Sequence, residues 1–329
     1  MTVFVTGGTG LVGSHVIEQL AARHVPVRAM VRDDRGTRLV AELGAEPVRG
    51  SVETPESWDA AEGAHAIVHA AALVVKTAPW SEYDTVNVVG TRLAVEAAQR
   101  YGARLVHISS VAVYGRSPAK DEAGTTSEDA PFGPIQPGDY YAHSKRAAEA
   151  VLWERARALG VGAVALRPCV VYGERDRAFM NHVLRILRWG WAPLVGGGDN
   201  RLAMVYAGNV AAAVLAALDR SAASGPFNVT NDGGLTQREF FEIAGRAMGV
   251  RVRFVRVPTG LAVAGSWLVN RLQRALRPGR YAGIGGSGGR FLARDNPYTS
   301  ERAVRELGWR LVVAPREGLE RTVRWFVGG

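Results

Sequence analysis

The amino-acid sequence predicts an α/β fold, in which a doubly wound parallel sheet is accompanied by a smaller C-terminal lobe. Two observations lead to this prediction. Short apolar runs alternate with segments whose apolar residues recur at helical spacing, and the first run enters its helix through a glycine-rich turn. The length of 329 residues is sufficient for both parts.

The glycine-rich turn spans residues 6–13 and follows the apolar run 3–5. Its glycines satisfy both G-x-G-x-x-G and G-x-x-G-x-x-G, and in a strand–turn–helix context they allow a tight turn and close approach of a pyrophosphate. The N-terminus of the following helix offers free N–H groups to the phosphates. The sequence therefore predicts a Rossmann-type dinucleotide site. The residues expected to form it are Gly7, Thr9, Gly10, Leu11, Val12 and Gly13.

The other elements of the sheet follow in order. Apolar runs predict strands at 27–31, 44–48, 66–69, 105–108 and 164–166, and helical periodicity predicts long helices over 83–101 and 141–159. The polar stretch 116–139 is rich in proline and glycine, which is typical of a functional loop.

Beyond residue 170 the alternation is looser. We expect helices over 179–189, 210–218 and 236–248 and a strand over 203–206, with a capping box formed by Thr236 and Glu239. The glycine-rich segment 283–289 is interpreted as a connector. The predicted dinucleotide-binding domain comprises 1–170 and 202–232, and the predicted substrate-binding lobe comprises 171–201 and 233–329.

Composition excludes several classes of protein. The mean hydropathy of −0.02 is ordinary for a soluble protein, and no apolar run reaches the about 20 residues that span a bilayer. Met1 directly precedes the first strand, which leaves no room for a signal peptide. Cys169 stands alone, which fits a reducing cytoplasm and excludes internal disulfides and thiolate metal clusters. We expect a cytoplasmic protein with no bound metal and with Cys169 as a small buried residue.

The net charge of +9 is unevenly distributed, since residues 251–310 contain twelve arginines and only three acidic residues. A nucleic-acid partner is not expected, because no nucleic-acid-binding motif accompanies this excess. A solvated surface is favoured, and attraction to an anionic membrane or to an acidic substrate stays open. Residues 261–280 begin with a strongly apolar stretch, which is compatible with a helix at a membrane interface or with a buried helix at the mouth of a substrate site.

Tyr141 and Lys145 lie four residues apart and therefore on one face of a helix. A lysine charge beside a phenol favours the phenolate, so we expect the pKa of Tyr141 to lie below its ordinary value of about 10. Tyr141 could then act as a general acid or base. The preceding strand ends in Ser109 and Ser110, at the sheet edge where open α/β folds bind ligands.

Five motifs, in this order and spacing, resemble those of the extended short-chain dehydrogenases/reductases, and the resemblance runs from residue 2 to about residue 326. The motifs lie at 6–13, 87–91, 109–115, 141–145 and 167–173. The segment 205–211 resembles the corresponding segment of the 3β-hydroxysteroid dehydrogenase branch. The end of the second strand, at Arg32, resembles that of the NADP-dependent dihydroflavonol reductases.

This resemblance implies a role for each catalytic residue. Tyr141 would exchange a proton with the substrate oxygen, Lys145 would lower the pKa of that phenol and hold the nicotinamide ribose, and Ser110 would hydrogen-bond the reacting oxygen. Motif spacing favours Ser110 over Ser109 for this role, and Asn87 would support the lysine through water. Further cofactor contacts are implied for Ala70, Ala71, Pro168 and Val171. The resemblance also implies a homodimer through the helices at 83–101 and 141–159. Separately, His69 and His143 are interpreted as packing or loop residues.

The choice of cofactor depends on the end of the second strand. NAD-binding proteins generally have an acidic residue there, whereas a nearby arginine accommodates the 2′-phosphate of NADP. Arg32 therefore favours NADP(H), while Asp33 and Asp34 keep NAD(H) open. The family usually has Asp-Leu after the third strand to contact adenine, and Ser51 and Val52 stand there instead, so this contact is weakened or replaced.

Three departures argue against enzymes that act on nucleotide sugars. Val111-Ala112 replaces the Asp-Glu pair of the dehydratases, Val170 replaces an asparagine of the epimerases, and residues 207–209 replace their Val-Asp-Asp. Several residues of the second lobe could line an apolar substrate pocket, although aromatic residues in such a lobe more often belong to the core: Phe179, Met180, Trp189, Trp191 and Trp267.

The sequence therefore predicts an NADP(H)-dependent oxidoreductase that interconverts a ketone and a secondary alcohol on a hydrophobic substrate, whether steroid-like, polycyclic or long-chain. A nucleotide-sugar epimerase or reductase that uses NAD(H) stays open as the alternative enzyme. A non-catalytic nucleotide-sensing protein is the alternative of another class, but the presence of Ser110, Tyr141, Lys145 and Asn87 counts against it.

Overall fold

The computed structural model describes residues 1–74, 78–115, 119–121, 124–230, 234–262, 264–265, 268 and 291–328. Seven parallel strands form its main sheet. They are β1 (Val3–Thr6), β2 (Val27–Val31), β3 (Glu46–Arg49), β4 (Ala66–His69), β5 (Arg104–Ile108), β6 (Ala163–Pro168) and β10 (Gly225–Val229), in the order β10-β6-β5-β4-β1-β2-β3. The strand order reverses between β1 and β4, so the ligand crevice expected of such a sheet lies at the carboxyl ends of these two strands.

Helices cover both faces of this sheet. They are α1 (Leu11–Ala22), α2 (Asp34–Glu42), α3 (Trp80–Tyr83), α4 (Gly90–Arg100), α5 (Tyr140–Leu159) and α7 (Ala207–Asp219). Two apolar cores result, because side chains alternate along the strands: Val3 and Val5 lie in one core and Phe4 lies in the other. The confirmed fold class is thus a Rossmann-type parallel sheet with helices on both faces.

A separate part of the chain surrounds a small parallel pair of strands. It contains α6 (Met180–Leu187), β8 (Trp191–Val195), α8 (Gln237–Ala247), β11 (Arg253–Val257) and the C-terminal helix Pro315–Gly328. A third core, which includes Phe179, Met180 and Phe240, holds these elements together. The strands β7 (Val170–Tyr172) and β9 (Met204–Tyr206) pair beside the main sheet. The division into two lobes stays a prediction, which this separation of cores supports, and the homodimer also stays a prediction.

Several elements differ from the sequence-based expectation. The single helix expected over 83–101 is interrupted by a π-helical stretch, Asp84–Val89, which contains the motif residue Asn87. Strands β7, β8, β10 and β11 were not predicted, because their short runs lack a clear period. The capping box of Thr236 and Glu239 is confirmed.

Most of the apolar stretch that begins at residue 261, and the whole glycine-rich segment 283–289, lie outside the described residues. Among the residues that are described, no helix is long and apolar enough to cross a membrane.

Candidate active site

The glycine turn after β1 leaves no space for side chains. Gly7 has a φ of +73°, and a Cβ there would lie 2.5 Å from the backbone nitrogen of Ala71. A Cβ on Gly13 would lie 2.2 Å from the carbonyl oxygen of Gly7. Gly10 donates its N–H to that same oxygen at 2.9 Å, and no side chain caps the N-terminus of α1. The first N–H groups of α1 therefore point towards the crevice, as a pyrophosphate requires.

Hydrogen bonds join the end of β4 to the residue that precedes this turn. The backbone N–H groups of Ala70 and Ala71 donate to the carbonyl and hydroxyl oxygens of Thr6, at 3.1 and 3.4 Å. The Thr6 hydroxyl also pairs with Nδ1 of His69 at 2.8 Å. Because burial and the nearby Lys145 charge lower the pKa of His69 to about 3, this imidazole is a neutral packing group. His143 is exposed on α5, so neither histidine takes part in the site.

The β2–α2 turn is the place where proteins of this fold distinguish NAD from NADP. Both of its acidic residues contact other groups of the protein. Asp33 caps α2 by accepting from the Gly36 N–H at 2.7 Å, and Asp34 forms an ion pair with Arg49. Arg49 also donates to the carbonyl oxygen of Arg32 at 2.9 Å. The exposed guanidinium of Arg32 has no acidic partner among the described residues.

The segment after β3 presents one unsatisfied polar atom. The Ser51 hydroxyl is buried and has no hydrogen-bond partner among the described residues, although the Ser51 N–H donates to the Ser57 hydroxyl oxygen at 3.1 Å. Val52 is buried against Gly90, where a Cβ would lie 3.2 Å from its side chain. A dinucleotide fits these residues, because the glycine turn is a cradle that any Cβ would fill and Ser51 retains hydrogen-bonding capacity at the adenine end.

The structure brings Tyr141, Ser110 and Lys145 together at the carboxyl end of β5. The Tyr141 phenol lies close to Ser110, whose hydroxyl accepts the Ala112 N–H at 3.2 Å. One helical turn further along α5, Lys145 is buried and its ammonium donates to the carbonyl oxygen of Ile108 at 2.7 Å. Ser109 faces away from this group and donates to Glu149.

The predicted direction of the Tyr141 pKa is wrong. Burial raises the pKa of Tyr141 to about 12, and the hydrogen bond to Ser110 offsets only part of this shift. Burial also lowers the pKa of Lys145 to about 8, against the opposite effect of the Glu149 charge. The physical reason is that the ammonium bonds to the Ile108 carbonyl, while desolvation dominates at the phenol. Tyr141 is thus a protonated phenol at neutral pH.

Asn87 makes direct hydrogen bonds to two segments of the site, and its implied support of Lys145 through water stays a prediction. Its side chain accepts from the Leu73 N–H at 2.7 Å and donates to the Leu73 carbonyl at 3.0 Å and to the Ser144 hydroxyl at 2.8 Å. Ser144 precedes Lys145 directly, so Asn87 joins the segment after β4 to the active-site helix through direct bonds. We interpret Asn87 as a positioning residue.

The buried Glu149 was not predicted from the sequence. Its carboxylate accepts from Nη2 of Arg167 at 2.6 Å and from Nε of Arg167 at 2.9 Å, in addition to the Ser109 hydroxyl. Arg167 also donates to the Tyr114 hydroxyl at 2.9 Å, which in turn donates to Asn228 at 2.8 Å. The spacing of Glu149, four residues after Lys145 on the same helix, was the available signal.

The remaining predicted residues lie near this site. Pro168 ends β6 and is buried, and Val171 is half-buried in β7. Cys169 is buried between them and its thiol donates to the Thr230 hydroxyl at 3.2 Å, which agrees with a packing role.

The predicted apolar pocket requires a correction. Phe179 and Met180 are buried in the third core, but Trp189 and Trp191 lie on the surface. Trp191 is on the outer face of β8, because its neighbour Ala192 faces the core and side chains alternate along a strand. Trp267 lies outside the described residues.

Comparison with known proteins supports a family assignment. The model of the NAD dependent epimerase/dehydratase family matches residues 3–231. A 4-hydroxy-2-methyl-3-oxo-4-farnesyl-3,4-dihydroquinoline-1-oxide ketoreductase from Stigmatella aurantiaca is 30% identical over 324 residues, which cover 97% of this chain and 95% of the relative. A 2-alkyl-3-oxoalkanoate reductase from Stenotrophomonas maltophilia is 28% identical, with 98% of each chain covered. A decarboxylating sterol-4-alpha-carboxylate 3-dehydrogenase from Dictyostelium discoideum is 24% identical, over 81% of this chain and 83% of the relative.

Solved structures show the same fold. The UDP-glucose 4-epimerase of Thermotoga maritima superposes with a TM-score of 0.74 at 23% identity, over 99% of this chain and 98% of that chain. The Bordetella bronchiseptica enzyme WbmH in complex with NAD+ has the same TM-score and coverage at 21% identity. Together the comparisons confirm an oxidoreductase with a nicotinamide cofactor and a resemblance to the 3β-hydroxysteroid dehydrogenase branch. The chain therefore belongs to the NAD dependent epimerase/dehydratase family, as an extended short-chain dehydrogenase/reductase.

Proposed function

We propose that this protein is an NADP(H)-dependent oxidoreductase that reduces a ketone to a secondary alcohol on a hydrophobic substrate, with Tyr141, Ser110 and Lys145 as the catalytic residues. The observation that carries this proposal is the proximity of Tyr141 and Ser110 at the carboxyl end of β5, with the buried Lys145 one helical turn away on α5. All three side chains lie beside the crevice between β1 and β4 that a dinucleotide fits.

The proton chemistry follows from the state of the phenol. With a pKa of about 12, Tyr141 holds its proton at neutral pH and can donate it to a carbonyl oxygen that becomes an alcohol. Ser110 adds a second hydroxyl at the same oxygen and orients it. The cofactor, when bound, supplies the hydride in reduction or accepts it in oxidation.

The other residues of the site would hold and orient the cofactor. The glycine turn 6–13, with Ala70 and Ala71, would hold the pyrophosphate, and Ser51 with Val52 would contact the adenine. Lys145 would bind the nicotinamide ribose through its ammonium, while Pro168 and Val171 would line the nicotinamide amide. Asn87 would keep the segment after β4 and the active-site helix in register through its bonds to Leu73 and Ser144.

The preference for NADP(H) is supported by the contacts of the charged residues in the β2–α2 turn. Asp33 caps α2 and Asp34 pairs with Arg49, so one oxygen of each carboxylate is already engaged within the protein. Arg32 is exposed and has no acidic partner within the described residues, which suits a 2′-phosphate. A Cβ on Gly36, in the first turn of α2, would lie 3.2 Å from Thr9, so this turn adjoins the phosphate-binding loop.

An apolar substrate is supported by aromatic residues beside Tyr141. Tyr140 and Trp80 are both partly exposed, and their rings meet edge to face with centroids 6.1 Å apart. Their neighbour Tyr83 contacts Tyr140 with centroids 6.2 Å apart. Such an edge favours a flat or long apolar molecule over a sugar diphosphate. The named ketoreductase, alkanoate reductase and sterol dehydrogenase relatives agree with this choice.

The alternative is a nucleotide-sugar epimerase or reductase that uses NAD(H). It is supported by the solved structures, which include several epimerases, but their low identity carries the fold alone. A non-catalytic nucleotide-sensing protein is a weaker alternative, since it would have no reason to keep Tyr141, Ser110 and Lys145 together.

Oxidation of NADPH, with NADH in parallel, tests the proposal across a panel of 3-ketosteroids, aryl ketones, long-chain 2-alkyl-3-oxo acids and UDP-sugars. We expect turnover of at least one apolar ketone with NADPH preferred, and its loss in Tyr141→Phe. Tyr101→Phe is the matched control, because that phenol is remote from the site and donates to Asp59. Silence on every ketone, with binding of NAD and a UDP-sugar, would replace the proposal by the epimerase alternative.

A further inference from the structure

An apolar and basic surface lies on the second lobe, outside the site described above. It is formed by the end of α6, the turn that follows and the outer face of the β8–β11 pair. Its apolar side chains are Ile186, Trp189, Trp191 and Val255, which are 47%, 77%, 46% and 49% exposed. With Arg251 and Arg253 they make up what we call the tryptophan–arginine surface. So much exposed tryptophan in one place is unusual unless something covers it.

Backbone bonds make this surface continuous. The Trp189 N–H donates to the Ile186 carbonyl at 3.2 Å, and the Arg253 N–H donates to the Gly190 carbonyl at 2.8 Å. In the parallel pair Arg253 lies opposite Trp191, and its guanidinium carbon lies 5.7 Å from the centroid of a Trp191 ring. Gly190 has a φ of +72°, which turns the chain sharply between the two tryptophans.

The outward direction of these side chains is built into the strands. On β8, Ala192 and Leu194 are buried, so the alternate positions Trp191 and Pro193 face outward. On β11, Val255 lies opposite Pro193 and is exposed in the same way. Because Ala192 is anchored in the third core, Trp191 cannot turn inward without breaking the strand pair.

The charge around this surface has one sign. Residues 177–198 and 243–262, which contain all of it, hold seven arginines and no acidic residue. Within the described residues, Arg188, Arg251, Arg253 and Arg256 have no ion pair. By contrast, Arg321 and Arg324 on the C-terminal helix each pair with a glutamate one turn away. The positive charge is therefore not neutralised by the protein itself.

We propose that the tryptophan–arginine surface docks on the anionic headgroup layer of a lipid bilayer. Tryptophan rings with isoleucine and valine beside them suit the boundary between headgroups and acyl chains, and unpaired arginines suit anionic phosphates. A nucleic acid would satisfy the arginines but would leave Ile186 and Val255 without a partner.

Docking goes beyond the proposed reaction and does not depend on it. If both hold, the enzyme would work at the surface where apolar ketones accumulate. If the reaction assigned above fails, binding to vesicles is unaffected, so the two proposals fail separately.

The test uses the full-length protein and vesicles of phosphatidylcholine with phosphatidylglycerol, compared with vesicles of phosphatidylcholine alone. We expect co-sedimentation with the anionic vesicles, weakened by added salt, and quenching of tryptophan fluorescence by brominated acyl chains. Trp189→Ser with Trp191→Ser should lower the partition coefficient about tenfold, and Arg251→Gln with Arg253→Gln should lower it to a similar degree. Retained cofactor binding shows that each variant is folded.

The matched control is Trp325→Ser, because Trp325 is an equally exposed tryptophan on the C-terminal helix, where the arginines are paired. It should leave the partition coefficient unchanged within about twofold. The proposal is overturned if wild-type protein does not bind anionic vesicles at low salt, if the control variant weakens binding as much as the double tryptophan variant, or if DNA binds more tightly than the vesicles and displaces them.

Discussion

The carboxylate of Glu149 accepts three hydrogen bonds from the guanidinium of Arg167, the shortest at 2.6 Å, and both side chains are almost completely buried. Glu149 lies one turn beyond Lys145 on α5, and its charge raises the pKa of that lysine against the effect of burial. The ion pair thus connects β6 to the lysine of the proposed site. It provides negative charge where the ammonium would otherwise be desolvated without compensation.

Glu149→Gln should therefore act on the lysine from a distance. We expect the pKa of Lys145 to fall below about 8, so that the alkaline limb of kcat/KM for NADPH moves to lower pH. Stability should fall by about 3 kcal/mol, because Arg167 keeps a buried charge without its counter-ion. Urea unfolding and a pH–rate profile check the two effects. Ser109→Ala is the control, since it removes one hydrogen bond to the carboxylate and leaves the charge in place; an equal shift of the limb in that variant would contradict the electrostatic explanation.

The wild-type enzyme should show a pH dependence with a defined sign. Below a pH of about 8 the Lys145 ammonium is charged and can bind the cofactor ribose, and as the pH rises through this value the charge is lost. We expect kcat/KM for NADPH to fall across the same range, since this parameter reports groups of the free enzyme. Lys145→Arg should abolish the limb, even at reduced activity, because arginine does not deprotonate. A wild-type profile that is flat across pH 8 would refute this role.

Tyr141→Phe tests the proton donor alone. The ring and its packing are retained, so affinity for the cofactor should change little, while kcat should fall about 10³-fold. Fluorescence titration with NADPH and steady-state kinetics measure the two quantities. Ser110→Ala should lower kcat by a smaller factor, because Tyr141 still holds its proton there. If kcat survives in Tyr141→Phe, another group must supply the proton.

Arg32 and Asp33 should separate cofactor choice from helix stability. Arg32→Ala should raise KM for NADPH about tenfold and leave KM for NADH nearly unchanged, because only the 2′-phosphate is lost as a partner. Asp33→Ala should instead lower stability by about 1 kcal/mol through loss of the α2 cap. Thermal unfolding and the ratio of the two KM values distinguish these effects. A selective loss of NADH binding in Asp33→Ala would show that this carboxylate reaches the ribose after all.

Gly13→Ala should block the dinucleotide site. A Cβ at this position would lie 2.2 Å from the carbonyl oxygen of Gly7, so the turn must open and its N–H groups must move. We expect affinity for NADPH to fall more than about tenfold, measured by calorimetry. Gly63→Ala is the control for the effect of replacing a glycine where the added Cβ meets no neighbour, since nothing lies within 4 Å of it. Its φ of +70° costs some stability, but affinity for NADPH should be retained. Unchanged affinity in Gly13→Ala would rule out this turn as the pyrophosphate cradle.

Much of the fold could be predicted because its signals are local. Strand β2 was predicted with its observed bounds, and β4 likewise, since each is a short apolar run between turn residues. The four-residue spacing of Tyr141 and Lys145 likewise predicted that both side chains lie on one helix face, because this depends only on the helical period. The short strands of the second lobe could not be predicted, because β8 and β11 are stabilised by pairing with each other across about 60 residues of chain and not by their own pattern.

By itself, then, the sequence determined the glycine turn, the alternation that builds the sheet and the residues of the proposed catalytic group. These depend on covalent spacing and on the periods of helix and strand. Only the tertiary structure decided the protonation of Tyr141, the burial of Glu149 against Arg167 and the exposure of Trp189 and Trp191. Desolvation, ion pairing and strand register are set by segments that are distant along the chain, and the sequence alone does not show which of them meet.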